Sequence, residues 1–254
     1  MLRLGSTRSS KIMTIEHISK GPIVVAKEVW KIYQTGSLKV EALRGVNLNV
    51  RIGEMLAVMG PSGCGKTTLL NCISGLDDLS KGSVEIEGVD LARMSDDQKS
   101  EFRAKRMGFI FQAYNLLPVL TALENVELPL LLAGVSESDA KASALDALKM
   151  VGLEEWRAHK PMELSGGQQQ RVTIARALVN KPAIVWGDEP TGNLDSDLSK
   201  EIVQLLRRLN KEYGLTLVLV THDQNVAEET DRIVHMKNGV IEREMSPVQE
   251  RNPS

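Results

Sequence analysis

Gly60-Pro61-Ser62-Gly63-Cys64-Gly65-Lys66-Thr67 fits the pattern G-x-x-x-x-G-K-[ST] in a chain of 254 residues. The apolar run Met55-Leu56-Ala57-Val58-Met59 precedes it, and Thr68-Leu69-Leu70-Asn71-Cys72-Ile73 follows with a helical pattern. Glycines let a backbone approach phosphate oxygens and turn its N–H groups inward. A helix that starts there sets the positive end of its dipole against the anion. Gly60 through Gly65, with Thr68, are the expected cradle. Lys66 is expected to reach the β- and γ-phosphates of ATP, and Thr67 to hold Mg²⁺ through its hydroxyl. A chance glycine-rich turn lacks the flanking strand and helix. The loop alone implies a nucleoside triphosphatase of the P-loop class and does not choose among them.

Working outward, two kinds of strand stand out. Ile23-Val24-Val25, Val29-Trp30-Lys31-Ile32-Tyr33, Val46-Asn47-Leu48-Asn49-Val50 and Val84-Glu85-Ile86 suit strands with one wet face, as in an antiparallel sheet. Met55–Met59, Ala183-Ile184-Val185-Trp186 and Leu217-Val218-Leu219-Val220 are uninterrupted apolar runs separated by helical segments. They argue for a parallel sheet in an α/β core. From Ser136 to Val151 the pattern is helical, with Ala140, Ala144, Leu145, Leu148 and Val151 on one face and Ser136 and Asp139 at its start. This stretch and the helix after Ser165 read as a helical insertion at about 113–178. Periodicity alone equally allows a plain surface helix packed on the sheet. The fold class expected is α/β: a P-loop NTPase core with a mixed or parallel sheet, an N-terminal antiparallel β subdomain and a helical subdomain insertion. The ATPase unit is expected over 22–245, after a flexible extension at 1–21 whose Ser and Arg content faintly resembles a transit peptide. The polar stretch after Glu242, with 246–254 as its tail, reads as mobile.

Composition narrows the function. Apolar residues make up 42% and charged residues 25%, with a net charge of −2. That balance gives no strong draw toward nucleic acid or anionic lipid, and no nucleic-acid partner is expected. No stretch has the roughly 18–20 apolar residues of a membrane span. Cys64 and Cys72 are poorly placed for a disulfide scaffold and suggest a reduced, cytosolic chain.

Ile184-Val185-Trp186-Gly187-Asp188-Glu189 ends an apolar strand in two acids, and ligands of open α/β sheets gather at carboxyl ends of strands. Asp188 is expected to face Mg²⁺ and Glu189 to polarise the attacking water. Away from a P-loop, two acids ending a strand in solvent would be the better reading. Leu164-Ser165-Gly166-Gly167-Gln168-Gln169-Gln170-Arg171 opens another helix, and Ser165 with two glycines makes a second anion site. One subunit has no use for two cradles around one triphosphate, but a second copy could complete the first cradle with this one.

At Leu164-Ser165-Gly166-Gly167-Gln168 the chain resembles the signature motif of ATP-binding-cassette ATPases, and the other motifs follow in that family's order. Tyr33 is similar to the aromatic that stacks on adenine. Gln112 is similar to the glutamine that senses Mg²⁺ and faces the membrane subunit. Asn193-Leu194-Asp195 resembles the loop joining the two active sites, and His222 resembles the switch histidine on the γ-phosphate. The resemblance runs from about Ile23 to Glu244. Phe111-Gln112-Ala113-Tyr114-Asn115-Leu116-Leu117-Pro118, Thr121-Ala122-Leu123-Glu124-Asn125-Val126 and Glu189-Pro190-Thr191-Gly192-Asn193-Leu194-Asp195 look like the branch of lipoprotein-release, macrolide-export and cell-division ATPases. Trp186-Gly187 departs from that branch, which usually has smaller aliphatic residues and Ala there. A buried Trp is expected to find a partner for its N–H.

The resemblance implies a homodimer that sandwiches two ATP, each between Lys66 of one copy and Ser165 of the other. It also implies a separate transmembrane permease, reached through Gln112–Pro118, and a cytoplasmic place on the inner face of the membrane. The catalytic residues implied are Glu189, His222 and Lys66. Asp195 and Ser165–Gln168 join the nucleotide contacts, and Thr67, Gln112 and Asp188 the metal contacts. Transport, with export or lipoprotein, lipid or peptide extrusion, is the first function expected. Mechanical regulation of a membrane protein, as in the cell-division type, uses the same motor and is the alternative. A soluble cassette acting on DNA or ribosomes fits less well, since one cassette and no sustained heptads are present.

Overall fold

The computed structural model describes residues 21–247. The expected extension at 1–21, apart from Gly21, and the tail from 248 onward lie outside the described residues. In chain order the elements are β1 (Pro22–Thr35), β2 (Leu38–Arg51), β3 (Met55–Met59), α1 (Lys66–Ile73), β4 (Lys81–Ile86), β5 (Val89–Asp90), α2 (Asp96–Arg106) and β6 (Met107–Phe111). Then come α3 (Ala122–Leu132), α4 (Glu137–Met150), α5 (Gly166–Leu178), β7 (Ile184–Asp188), α6 (Ser196–Tyr213), β8 (Thr216–Val220), α7 (Gln224–Glu228), β9 (Arg232–Lys237) and β10 (Val240–Met245).

Among the described residues two sheets form. One is antiparallel, in the order β2-β1-β4-β5. The other runs β10-β9-β3-β8-β7-β6, with β10 antiparallel on the edge and every other neighbour parallel. The two sheets differ as the two sequence patterns require. In β2 the residues Val46, Leu48 and Val50 are buried and Asn47 and Asn49 exposed, whereas β3 and β8 are buried throughout. Strands covered on both faces need apolar residues at every position.

Alternate residues of the second sheet feed two cores. Leu56, Val58, Ile184, Trp186, Val218 and Val220 pack against α1 and the antiparallel sheet. Met55, Ile110, Val185, Leu217 and Leu219 pack with α5, α6 and the buried faces of α3 and α4. The α4 face expected from periodicity is in place, with Ala140, Ala144, Leu148 and Val151 buried, Leu145 half-buried and Ala147 added. Ser136 caps α4 by accepting from the Asp139 N–H. Helices α3 and α4 pack on each other and on α5, and α5 also lies on β6, where a Cβ at Gly108 would come within 2.2 Å of Ala177 O.

Two expectations are corrected. The polar stretch after Glu242 is not loose at its start. Arg243, Glu244 and Met245 pair with His235, Val234 and Ile233 in β10, and Glu244 holds Arg232 at 2.6 Å. An edge strand tolerates charged side chains that face water, so its polarity concealed it. Trp186 is fully buried, yet its Nε1 has no hydrogen-bond partner. Burying an indole of roughly 200 Å² contributes about 5 kcal/mol, and an unpaired N–H costs about 1–3 kcal/mol. Packing outweighs the orphaned donor. The ring belongs to the same buried core as Cys64, Leu69 and Leu70 of the phosphate loop and α1.

Candidate functional site

The cleft over the phosphate loop has a volume of about 580 Å³. Ser62, Gly63, Gly65, Lys66, Thr67, Thr68 and Glu189 line it, as do Glu41 and Arg44 of β2 and the Asn238-Gly239 turn between β9 and β10. Gly65 and Gly60 are glycines of necessity. At Gly65 φ is +104° and a Cβ would meet Ala42 O at 2.6 Å; at Gly60 it would meet Met236 O at 2.2 Å. The loop is thus pressed onto the backbones of β2 and β9, and a side chain at either position would push it into the space a phosphate needs. Gly65 is also the N-cap of α1, so the helix begins at the cradle itself.

Lys66 is buried at 8% exposure, and its Nζ donates to Gly60 O at 2.8 Å and Pro61 O at 3.1 Å. An ammonium has three donors, so one remains for an anion above the loop. Thr67 Oγ1 donates to Asp188 Oδ1 at 3.0 Å, which joins α1 to the end of β7. Burial pushes the Asp188 carboxyl above the ordinary carboxylate range. The Thr67 hydroxyl pulls it back, the Glu189 charge raises it further and Lys66 lowers it.

Glu189 sits at φ +48°, a left-handed conformation rare outside glycine, and its N–H donates to Val220 O at 2.9 Å. Its side chain is 16% exposed and meets His222 Nδ1 at 2.8 Å through Oε1. His222 follows β8, and that strand's parallel register with β7 sets Asp188 opposite Val220. The strained turn therefore aims Glu189 across the strand ends at the imidazole.

Tyr33, on β1, is 42% exposed, and its hydroxyl donates to Asp77 Oδ2 at 2.8 Å. Burial, followed by the bond and charge of Asp77, raises the Tyr33 phenol above its ordinary value. Burial opposes ionisation of Asp77, but hydrogen bonds from Lys31 and Tyr33 outweigh it and hold the carboxyl low. Both cysteines are free and buried; burial first, then Asp77, pushes the Cys72 thiol up to about 12.

The other predicted residues stand elsewhere. None of Ser165, Gly166, Gly167 and Gln168 lines the cleft. Ser165 caps α5, with its Oγ accepting from Gln168 N–H at 3.3 Å and its N–H donating to Gln168 Oε1 at 2.9 Å. Asp195 caps α6. Gln112 contacts Asn193: Asn193 Nδ2 donates to Gln112 O at 2.8 Å, and Gln112 Nε2 lies 3.4 Å from Asn193 Oδ1. A Cβ on Gly192 would fall 2.9 Å from that amide.

Four features went unread in the sequence. The Asn238-Gly239 turn supports the loop, with Gly239 N–H donating to Cys64 O at 3.0 Å and Arg44 N–H to Gly239 O at 2.9 Å. Its signal was present, because Asn-Gly between strands marks a hairpin. Buried Asn125 takes the Leu117 N–H and donates to Leu117 O, Leu120 O and Thr121 O, fixing the loop before α3. Arg176 of α5 donates to Tyr114 O and Asn115 O, and buried Gln170 donates to Pro190 O. No local signal marks these three.

The model of the family described as ABC transporter matches residues 43–192. An ABC transporter ATP-binding protein of Thermotoga maritima is 52% identical over 215 residues, covering 85% of this chain and 92% of that relative. The lipoprotein-releasing system ATP-binding protein LolD of Legionella pneumophila is 45% identical over 219 residues, 86% of this chain and 96% of its own length. MJ0796 of Methanocaldococcus jannaschii is 50% identical over 226 residues, 87% of this chain and 96% of that protein. The dimeric structure of the MJ0796 cassette superposes with a TM-score of 0.81 at 48% identity, covering 88% of this chain and 98% of that one. A second dimeric MJ0796 structure, in a post-hydrolysis state bound to ADP and Pi, superposes equally well. With its phosphate loop, paired acids and these likenesses, the chain belongs to the ABC transporter family, as an ATP-binding and ATP-hydrolysing cassette.

Proposed function

We propose that two copies of this chain close head to tail around two ATP and so drive a separate membrane permease, for export or for extrusion of a lipoprotein, lipid or peptide. One observation carries the reading: Ser165, Gly166 and Gly167, at the exposed N-terminus of α5, lie outside the lining of the cleft that holds Lys66 and Glu189. A cradle at a helix N-terminus with no triphosphate of its own suits the triphosphate of a partner copy. ATP then favours the closed pair because only that state offers both cradles to it. LolD, by its name, serves a lipoprotein-releasing system.

In this reading residues 22–245 form the cassette and 113–178 its helical insertion. Tyr33 stacks on adenine, and Gly60–Thr68 with Lys66 hold the phosphates. Glu189, oriented by His222, accepts a proton from the water aimed at the γ-phosphate. Lys66 of one copy and Ser165 of the other meet the charge that develops there. Thr67 and Asp188 fit Mg²⁺, a hard cation that takes one or two protein oxygens and completes its shell with water and phosphate. Bound there, it would neutralise phosphate charge; Gln112 is a candidate third contact. Asp195 lies in the loop between the two sites.

Arg176 and Gln170 tie the Ser165 helix to Tyr114, Asn115 and Pro190. Closure of the pair is thereby passed to the 112–118 segment, where Leu117, and Val119 just after it, expose apolar surface. We place the permease there, and the protein on the cytoplasmic face of the membrane. Among the described residues no helix is long and apolar enough to cross a membrane.

Glu189→Gln tests the sandwich, because the amide keeps the shape of the side chain and loses the proton acceptor. At saturating ATP the variant is expected to elute as a dimer in size-exclusion chromatography with light scattering, and to release almost no phosphate. A variant that stays monomeric there argues against the shared site.

A further inference from the structure

Lys31, Tyr33 and Asp77 form a chain of polar contacts at the edge of the nucleotide cleft. Lys31 and Tyr33 are two apart on β1 and both reach Asp77, Lys31 Nζ at 2.6 Å from Oδ1 and Tyr33 Oη at 2.8 Å from Oδ2. Lys31 Nζ also donates to Asp78 O at 2.7 Å and lies 5.0 Å from the centre of the Tyr33 ring. The Lys31 side chain is 12% exposed, so its charge is largely withdrawn from solvent and committed to this cluster.

Asp77 is fixed in turn by helix α1. The Leu76 and Asp77 N–H groups donate to Asn71 O at 2.9 and 3.1 Å, which closes the C-terminal turn of that helix. The other end of α1 is the phosphate cradle. A helix of eight residues is about 12 Å long and resists bending over that span. The ring of Tyr33 belongs to a different sheet, and a tyrosine on a strand can turn about two side-chain bonds. The Asp77 bond restrains that freedom and ties the ring to the end of α1 opposite the phosphate loop.

We infer that Asp77 is a positioning residue for the base platform: through Tyr33 it fixes the separation between the adenine-stacking ring and the phosphate loop, with Lys31 holding its carboxylate in place. The inference rests on the reading of Tyr33 as that platform. Lost pre-organisation weakens binding of the base and leaves the chemistry at the γ-phosphate alone.

The test is ATP turnover by the full chain, with equilibrium affinities for ATP and for inorganic tripolyphosphate, which has no base. Asp77→Ala and Tyr33→Phe should each raise the KM for ATP about fivefold at unchanged kcat, the effect of one net hydrogen bond. The double variant should lose clearly less than the two singles multiplied together, because both remove the Tyr33–Asp77 bond. Asp77→Asn, which still accepts from the phenol, should recover most of the loss. Affinity for tripolyphosphate should not change. An unchanged KM in Asp77→Ala overturns the inference, as does an equal loss for tripolyphosphate, which would mean a disturbed loop. Tyr33→Ala separates the two readings. If it weakens ATP binding while Asp77→Ala does not, only the positioning role falls. If it leaves ATP affinity intact, the stacking platform falls and the positioning role with it.

Discussion

Asp188 illustrates the tension between folding and chemistry at a single residue. Its carboxyl is pushed above the usual range by burial, and the Glu189 charge adds to this, while Thr67 and Lys66 act in the other direction. An acid whose pKa is higher in the fold than in the unfolded chain destabilises the fold as pH rises past the unfolded value, and the penalty is complete above the folded value. Asp188→Asn keeps an oxygen for the Thr67 hydroxyl and removes the charge. The nucleotide-free variant should melt about 2–4 °C higher near pH 7. That gain should vanish as the pH falls below the ordinary carboxylate value of about 4, where the folded and the unfolded chain both carry the proton. Turnover should fall about a hundredfold or more, since the charge facing the phosphates is gone. Calorimetry across this pH range and a phosphate-release assay measure both effects. Equal melting temperatures near neutral pH would contradict the burial account.

The strand–loop–helix unit was legible because each part leaves a local mark: an unbroken apolar run, fixed glycine spacing, then a helical period. The alternation of β2 and the apolar runs of β3, β7 and β8 were legible for the same reason. What escaped was made by contacts between elements distant in sequence. Asn125 reads as a polar helix residue until its four bonds to the preceding loop are seen. The left-handed turn at Glu189 follows from strand ends that meet only in the fold. The end of β10, after Glu242, looked like a tail because its charges face water. The β9–β10 turn shows how such a contact governs the site. Asn238 and Gly239 have φ of +50° and +79°, as a two-residue hairpin turn of this hand requires. A Cβ on Gly239 would lie 2.7 Å from Ala42 O, whereas one on Gly88, at a similar φ of +77°, would meet nothing within 4 Å. Gly88→Ala should therefore cost only the backbone term of about 1–2 kcal/mol. Gly239→Ala should lower the melting temperature further, by about 5–10 °C in all, because the hairpin must move off β2. It alone should also weaken ATP binding, since the moving backbone carries the bond to Cys64 O. Thermal melts and nucleotide titration of the two variants separate the effects.

At the scale of the whole molecule, the proposed head-to-tail pair gives each chain half of two sites. Lys66 lies in the cleft and Ser165 outside it, capping α5 on an exposed surface. Lys66→Ala removes the cradle's cation. Ser165→Arg sets a bulky charge on the second cradle, and its cost to the monomer is confined to a lost helix cap of about 1 kcal/mol. Each variant alone should be inactive, since both composite sites of its homodimer are damaged in the same way. In an equimolar mixture half of the dimers are hybrids. In a hybrid, the Ser165→Arg chain brings an intact Lys66 to the intact Ser165 of its partner, while the opposite site carries both lesions. If the two sites work independently, the mixture should regain about a quarter of the wild-type rate, an outcome that requires a two-fold interface with the two cradles on different copies. Were each chain complete in itself, mixing two inactive variants could restore nothing. An ATPase assay of the mixture against each variant at the same total concentration distinguishes the two arrangements.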